Sequence, residues 1–243
     1  MSLAPEVLAE QIMGYVVWAS ELIPTLKSFA NKSYSVAIIP QWPHFYTGLL
    51  QAAGYLLLDS QKKKILVISQ LHDSKSIVVD TTIYGPIFWK TRETSMKVLS
   101  KIKTSIGALY SSKEDKQLIE VLHAQTPFLR VITDIKQIIH VGVGNKISPN
   151  QNKKLYTWIQ KNIQEYNIVL LTNIEISLSS KSPKHDEQKQ IEKLIQTWST
   201  SLLGLFHTIL DKQKKRPEIV AYVNPWDFGK TASLTTRYIC AMG

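Results

Sequence analysis

Residues 137–172 read QIIHVGVGNKISPNQNKKLYTWIQKNIQEYNIVLLT. Gln137 to Val143 is short, mostly apolar and strand-like, and it meets Gly142 and Gly144. Ser148 then stands where a helix N-cap belongs. Pro149 follows in the first turn, where a missing amide hydrogen costs nothing. Leu155, Ile159 and Ile163 recur at the spacing of one helix face, and Ile168 to Thr172 is again a buried-strand pattern. Strand, capped helix and strand in succession predict an α/β layered sheet.

The same alternation extends in both directions. Upstream, Pro5 to Ala30 has a helical stripe of Leu8, Ile12, Val16, Leu22 and Ile23. Ser35 to Pro40 reads as a buried strand that the proline ends. Thr47 to Leu57, with Gly and Ala among apolar residues, reads as a helix packed closely on a sheet. Lys64 to Ser69 and Ser76 to Thr81 are two further strands, and Thr91 to Leu109 and Ser112 to Gln125 are helical. Downstream, Asp186 to Leu210 has the strongest helical period, with a break available at Ser199 to Ser201. Pro217 to Val223 and Thr235 to Cys240 close the chain as strands. No repeat is visible, and Ser177 to Lys184 reads as a loop within one domain, 1–243. The expected architecture is a three-layer α/β sandwich with a mixed or mostly parallel sheet.

At 243 residues the chain is long enough to bury a sizeable core, and 44% hydrophobic with 20% charged residues is ordinary globular composition. Its one cysteine, Cys240, rules out an internal disulfide and a cysteine-based zinc site, and suits a reducing compartment. Met1 to Thr25 carries Glu6, Glu10 and Glu21 and no Lys or Arg, unlike a signal peptide. No run approaches the roughly 18 apolar residues of a membrane span. The expectation is a cytoplasmic protein.

The formal net charge is +10, from 29 Lys+Arg against 19 Asp+Glu. The charge falls in short runs, Lys62 to Lys64, Lys153-Lys154 and Lys212 to Arg216, each where a turn or helix end is expected. That pattern reads as solvated surface and argues against a nucleic-acid partner. A nucleophilic triad finds no Gly-x-Ser-x-Gly elbow. Gly142-Val143-Gly144 lacks the third glycine of a nucleotide loop, and Gly229-Lys230-Thr231 lacks the upstream glycine of a phosphate loop, since Asn224 stands there.

Several segments, in order from Val36 to the C-terminus, resemble the Memo family, including the group described as AmmeMemoRadiSam system protein B. Ile38-Ile39-Pro40-Gln41-Trp42-Pro43-His44-Phe45-Tyr46-Thr47-Gly48 is similar to that family's strand followed by Pro-His-Ala-Gly-Tyr-x-Tyr-Ser-Gly, with Pro40, Tyr46 and Gly48 in register and Gln41 at the motif histidine. Ile65-Leu66-Val67-Ile68-Ser69-Gln70-Leu71-His72-Asp73 falls on the strand before Gly-Pro-Ser-His-His, with His72 and Asp73 at the two histidines. Tyr84-Gly85-Pro86 stands near the family's Tyr and Thr-Pro. Glu120 to Leu129 fits His-Ser-x-Glu-Val-Gln-Leu-Pro-Phe-Leu without gaps, with Glu120 and His123 at the family's His and Glu. Ile138 to Gly144 looks like the following strand. Thr172 to Ser177 occupies the place of a Ser-Ser-Asp-x-Ser-His turn whose Asp and His are absent. The segment bearing the family's cysteine is shortened, and no Cys occurs there.

The resemblance implies the fold of Memo and of the class III extradiol dioxygenases, and a cleft where the loops after the first two strands meet. It implies that Gln41, His44, Tyr46, His72, Asp73, Glu120, His123 and Thr172 line that cleft. Three converging ligands are needed to hold iron, copper or zinc. Of the family's implied ligands only His72 remains in register. The degenerate site favours a non-catalytic binding or accessory protein with no cofactor and an unidentified protein or peptide in the cleft. The alternatives are a metal-dependent oxidoreductase with iron, copper or zinc in a site rebuilt around His72, with His44 and a carboxylate, and a basic nucleic-acid-binding protein. Trp42, Phe45, Tyr46, Phe88 and Trp89 offer either packing or a recognition groove. His140 reads as a satisfied core histidine and Cys240 as small buried filler.

Overall fold

The computed structural model describes residues 5–25, 29, 32–41, 44–71, 74–80, 96–110, 121, 124–125, 128–129, 135–172, 193, 201–223 and 238–243. In chain order these form α1 (Pro5–Thr25), β1 (Val36–Ile39), α2 (His44–Leu56), β2 (Lys64–Leu71), β3 (Ile77–Val79), α3 (Met96–Ile106) and β4 (Leu109–Tyr110). There follow β5 (Gln137–Gly144), α4 (Pro149–Asn162), β6 (Tyr166–Leu171), α5 (Ser201–Lys212), β7 (Glu218–Val223) and β8 (Tyr238–Met242).

The eight strands make one sheet in the order β4-β3-β5-β2-β6-β1-β8-β7. The inner four, β5-β2-β6-β1, are parallel. β8 runs antiparallel to β1 on one flank, and β3 antiparallel to β5 on the other. The central strands are buried on both faces, which is why their sequences are nearly continuous apolar runs rather than alternating ones.

The period of two along each strand sorts the core into two layers. Val36, Ile38, Leu66, Ile68, Ile139, Val141, Ile168 and Leu170 face one side, where Leu99 and Ile102 of α3, Leu155 and Ile159 of α4, and Phe206 and Ile209 of α5 cover them. Ala37, Ile39, Ile65, Val67, Val169 and Leu171 face the other, under Ala19 of α1, Leu50 and Tyr55 of α2, and Val121, Phe128 and Leu129. The expected three-layer α/β sandwich, with a mixed sheet, is the observed architecture. Among the described residues no helix is long and apolar enough to cross a membrane.

Local chemistry accounts for the helix ends. Ser148 and Gln151 form a capping box: the Gln151 amide donates to Ser148 Oγ at 3.3 Å, and the Ser148 amide donates to Gln151 Oε1 at 3.0 Å. Of the helix expected over Thr91 to Leu109, residues 91–95 lie outside the described residues, Met96–Ile106 is helical, and Leu109 belongs to a strand instead. The reason is Gly107, which takes φ +68 and lets the Ala108 amide reach back to the Lys103 carbonyl at 3.0 Å, closing the helix with a left-handed turn. Of the long helix expected from Asp186, α5 and Lys193 are described. Most of Ser112 to Gln125 and the end of the helix expected to reach Ala30 lie outside the described residues.

Close approach, rather than propensity, sets α2 on the sheet. A Cβ at Gly54 would stand 2.8 Å from two Ile39 side-chain carbons and 3.1 Å from the Cys240 sulfur. A Cβ at Gly48 would collide with the Tyr15 ring of α1. The two glycines therefore let α2 lie tight against β1 and β8 on one side and α1 on the other. Cys240 is enclosed here, and burial pushes its thiol up to about 12, so it is packing rather than a nucleophile.

Candidate functional site at the carboxyl edge of the sheet

Ligand sites of α/β sheets collect at the carboxyl ends of parallel strands. Strand register brings three chain segments to one edge here. Ile39 pairs with Leu171, and Leu171 with Ser69, so β1, β6 and β2 end side by side. Pro40 and Gln41 leave β1, Thr172 leaves β6, and β2 runs to Leu71. The ends of β1 and β2 flank β6, about 10 Å apart at two strand spacings. The Thr172 amide donates to the Ile39 carbonyl at 3.2 Å, which ties the first two exits together.

Buried polar side chains concentrate at this edge. Gln41, Thr47, Gln51, Gln125 and Ser69 are buried on the side covered by α1 and α2, and Thr172, just past Leu171, is buried as well. Gln51, one helical turn beyond Thr47 on α2, donates from Nε2 to the Pro40 carbonyl at 2.9 Å and more weakly to the Gln41 carbonyl at 3.4 Å. Gln125 donates from Nε2 to the same Gln41 carbonyl at 3.1 Å, while its Oε1 accepts from the Tyr55 hydroxyl at 3.1 Å. Tyr55 is fully buried, and burial raises its pKa, so the phenol stays protonated and donates. Three side chains from two segments thus fix the backbone at Pro40 and Gln41, just past β1.

A second buried chain lies on the same face, over β2, β5 and β3. Ser69 Oγ is 2.9 Å from His140 Nε2, and His140 Nδ1 is 3.4 Å from Asp80 Oδ2. Asp80 reaches this place because its amide donates to the His140 carbonyl at 3.0 Å just past β3. Burial lowers the His140 pKa, and the Asp80 carboxylate opposes that shift without overcoming it, so the imidazole is neutral near pH 7. A carboxylate only accepts, which assigns the proton to Nδ1 and leaves Nε2 to accept from the Ser69 hydroxyl.

The order Ser, His, Asp, with Nε2 toward the hydroxyl and Nδ1 toward the carboxylate, has the connectivity of a nucleophilic triad. Its burial gives it a different role. Ser69 is 0% exposed and sits within the β2 ladder between β5 and β6. The three residues form a satisfied polar brace across three strands. The reading of His140 as a satisfied core histidine matches what is found. Its partners are separated from it by 71 and 60 positions in the chain, and no local motif announces them.

Of the residues that the sequence puts in the cleft, Gln41 and Thr172 are described, buried, and side by side at the edge. His44 and Tyr46 lie in α2, with side chains outside the described set. His72, Asp73, Glu120 and His123 lie outside the described residues, as do Trp42, Phe88, Trp89 and the Phe45 side chain. Gln125 lies in the Glu120 to Leu129 segment that resembles a family motif but is not among the expected cleft residues, and nothing in the sequence marks Gln51 or Tyr55. The signal that could have found them is a polar residue recurring on an otherwise apolar helix face.

Among the described residues no three His, Cys, Asp or Glu side chains converge on one point. The described part of the edge does not suit iron, copper or zinc. A neutral side-chain amide, a poor ligand for these ions, stands at Gln41, and its backbone carbonyl accepts from Gln51 and Gln125. Compared with models of known families and with curated proteins, the chain matches none.

Proposed function

We propose that the chain is a divergent Memo-like protein that uses the carboxyl-edge cleft to bind a protein or peptide rather than to run metal chemistry. The observation that carries this reading is the backbone at Gln41, just past β1. Gln41 stands where the resemblance puts a ligating histidine, and Gln51 and Gln125 hold it by its backbone carbonyl. A strand exit fixed in this way is a preorganised edge, and preorganisation lowers the ordering cost of association. A reducing, cytoplasmic setting accords with Cys240 as a free, enclosed thiol.

Elemental analysis of freshly purified protein tests the reading, with His72→Ala and Gln41→His prepared alongside. The expected result is no stoichiometric iron, copper or zinc in the parent protein or in His72→Ala, and increased metal retention in Gln41→His, which returns one imidazole to the edge. Near-stoichiometric metal in the parent that is lost in His72→Ala overturns the proposal in favour of a metal-dependent oxidoreductase.

A further inference from the structure

The layer opposite the cleft carries a different kind of surface. Helices α3 and α4 lie side by side there, and between them runs a groove of about 300 Å³ whose lining includes Ser105, Asn150, Lys153, Lys154, Thr157 and Lys161. Lys97, Lys101 and Lys103 on α3 join Lys153, Lys154 and Lys161 on α4, and neither helix contains an Asp or Glu. Glu165, just past the end of α4, is taken up by Lys64 at 2.6 Å. Five of the six lysines are exposed, and Lys103 lies with its Nζ 4.0 Å from the centre of the Tyr110 ring. Read along the chain, these lysines are separate short runs that look like ordinary solvated surface. The packing of α3 beside α4 puts the exposed Lys97 and Lys101 on the helix next to Lys153, Lys154 and Lys161, while Lys103 is turned to Tyr110 of β4.

We infer that the α3–α4 groove binds the phosphodiester backbone of nucleic acid without reading its sequence. Three features favour this partner. The charge extends along both helices, about 16 and 21 Å at 1.5 Å per residue, rather than converging on one point as for a single phosphate. A duplex presents a charge about every 1.7 Å of its axis, which suits an extended row of cations. The groove walls add the Ser105 and Thr157 hydroxyls and the Asn150 amide, groups that donate to phosphate oxygens and position a backbone. Among the described residues no arginine lines the groove to read base edges, which suits an electrostatic, sequence-independent contact. An anionic membrane is the competing surface, since Met96 and Leu109 are exposed near the two ends of α3. The groove itself sets Lys153, Lys154 and Lys161 around the partly buried Trp158, without the broad apolar face that enters a headgroup layer.

Fluorescence anisotropy of the intact protein with a labelled mixed-sequence DNA duplex, over salt from about 50 to 200 mM, tests the inference. Vesicles of phosphatidylserine in phosphatidylcholine are assayed in parallel by co-sedimentation. Binding is expected to weaken steeply with salt. Lys153→Gln/Lys154→Gln/Lys161→Gln should lower affinity at least about tenfold and reduce the log–log salt slope by about 3, near one per lysine. The matched variant Lys212→Gln/Lys214→Gln/Lys215→Gln removes the same charge elsewhere and should keep the slope. All six side chains are exposed, and circular dichroism of both variants verifies folding. The inference is overturned by absence of duplex binding at low salt, by equal slope loss in the two triple variants, or by vesicle binding with no duplex binding. Because the groove lies across the sheet from the α1–α2 side, none of these outcomes bears on whether the carboxyl edge holds a metal.

Discussion

Gln125 joins the Tyr55 hydroxyl to the Gln41 carbonyl, so replacing it with leucine, of similar size, removes two buried hydrogen bonds without opening a large cavity. The Tyr55 oxygen is then left in a fully buried site without its acceptor, and the Gln41 carbonyl keeps the longer contact from Gln51. An orphaned buried polar group costs about 1–3 kcal/mol, so Gln125→Leu should destabilise by about 2–4 kcal/mol. In a chain of this size that lowers Tm by about 4–16 °C. Tyr55→Phe leaves Gln125 Oε1 without its donor and should cost about 1–3 kcal/mol. In the double variant neither orphan of the pair remains, so the double should cost less than the sum of the singles by about 1 kcal/mol or more. Urea denaturation of the four proteins of this cycle measures it. A Gln125→Leu protein within about 0.5 kcal/mol of the parent, or strictly additive effects, would refute the argument that this bridge holds the β1 exit.

Two other predictions concern packing and pH. Gly54→Ala and Gly204→Ala make the same change in two helices: a new Cβ at Gly204 meets nothing within 4 Å, whereas at Gly54 it meets fully buried Ile39 and Cys240. Gly204→Ala should stabilise by about 0.5–1 kcal/mol through helix propensity, and Gly54→Ala should destabilise by about 1–2 kcal/mol through overpacking; equal stabilisation of both in thermal melts would contradict the close approach of α2. For His140 the folded pKa is lowered, so the unfolded chain takes up the proton first as pH falls below its ordinary value near 6.5, and the stability this buried neutral imidazole confers is lost from there downward. Urea midpoints at about pH 7, 6 and 5 should therefore fall more steeply for the parent than for His140→Gln, and parallel slopes would show that His140 titrates alike in both states.

What the sequence discloses depends on how far apart the interacting groups lie. The α4 capping box is legible because Ser148, Pro149 and Gln151 act within one turn. The inner strands are legible because burial on both faces demands unbroken apolar runs such as Ile65 to Ile68. The end of α3 falls short of the apolar period because Gly107 stops the helix, and a glycine followed by Ala-Leu-Tyr carries that signal in the sequence. The Ser69–His140–Asp80 brace and the Gln41–Gln125–Tyr55 bridge join residues from separate strands and helices, and only register brings them together. The lysines of α3 and α4 are legible one by one, while their shared face depends on which helices become neighbours.

The placement of β8 has a consequence for biosynthesis. It lies between β1 and β7, with Ala37 opposite Met242, and the amides of Val36 and Gly243 donate to each other's carbonyls at 3.2 and 2.9 Å. A chain emerging from the ribosome presents β1 early, yet one of its two hydrogen-bonding edges stays open until Met242 has been made. An apolar strand with an open edge is a template for pairing with other chains. Contacts this distant along the chain also form slowly. Nascent chains stalled before β8 should therefore be the aggregation-prone species of this protein, and the ones most dependent on chaperones.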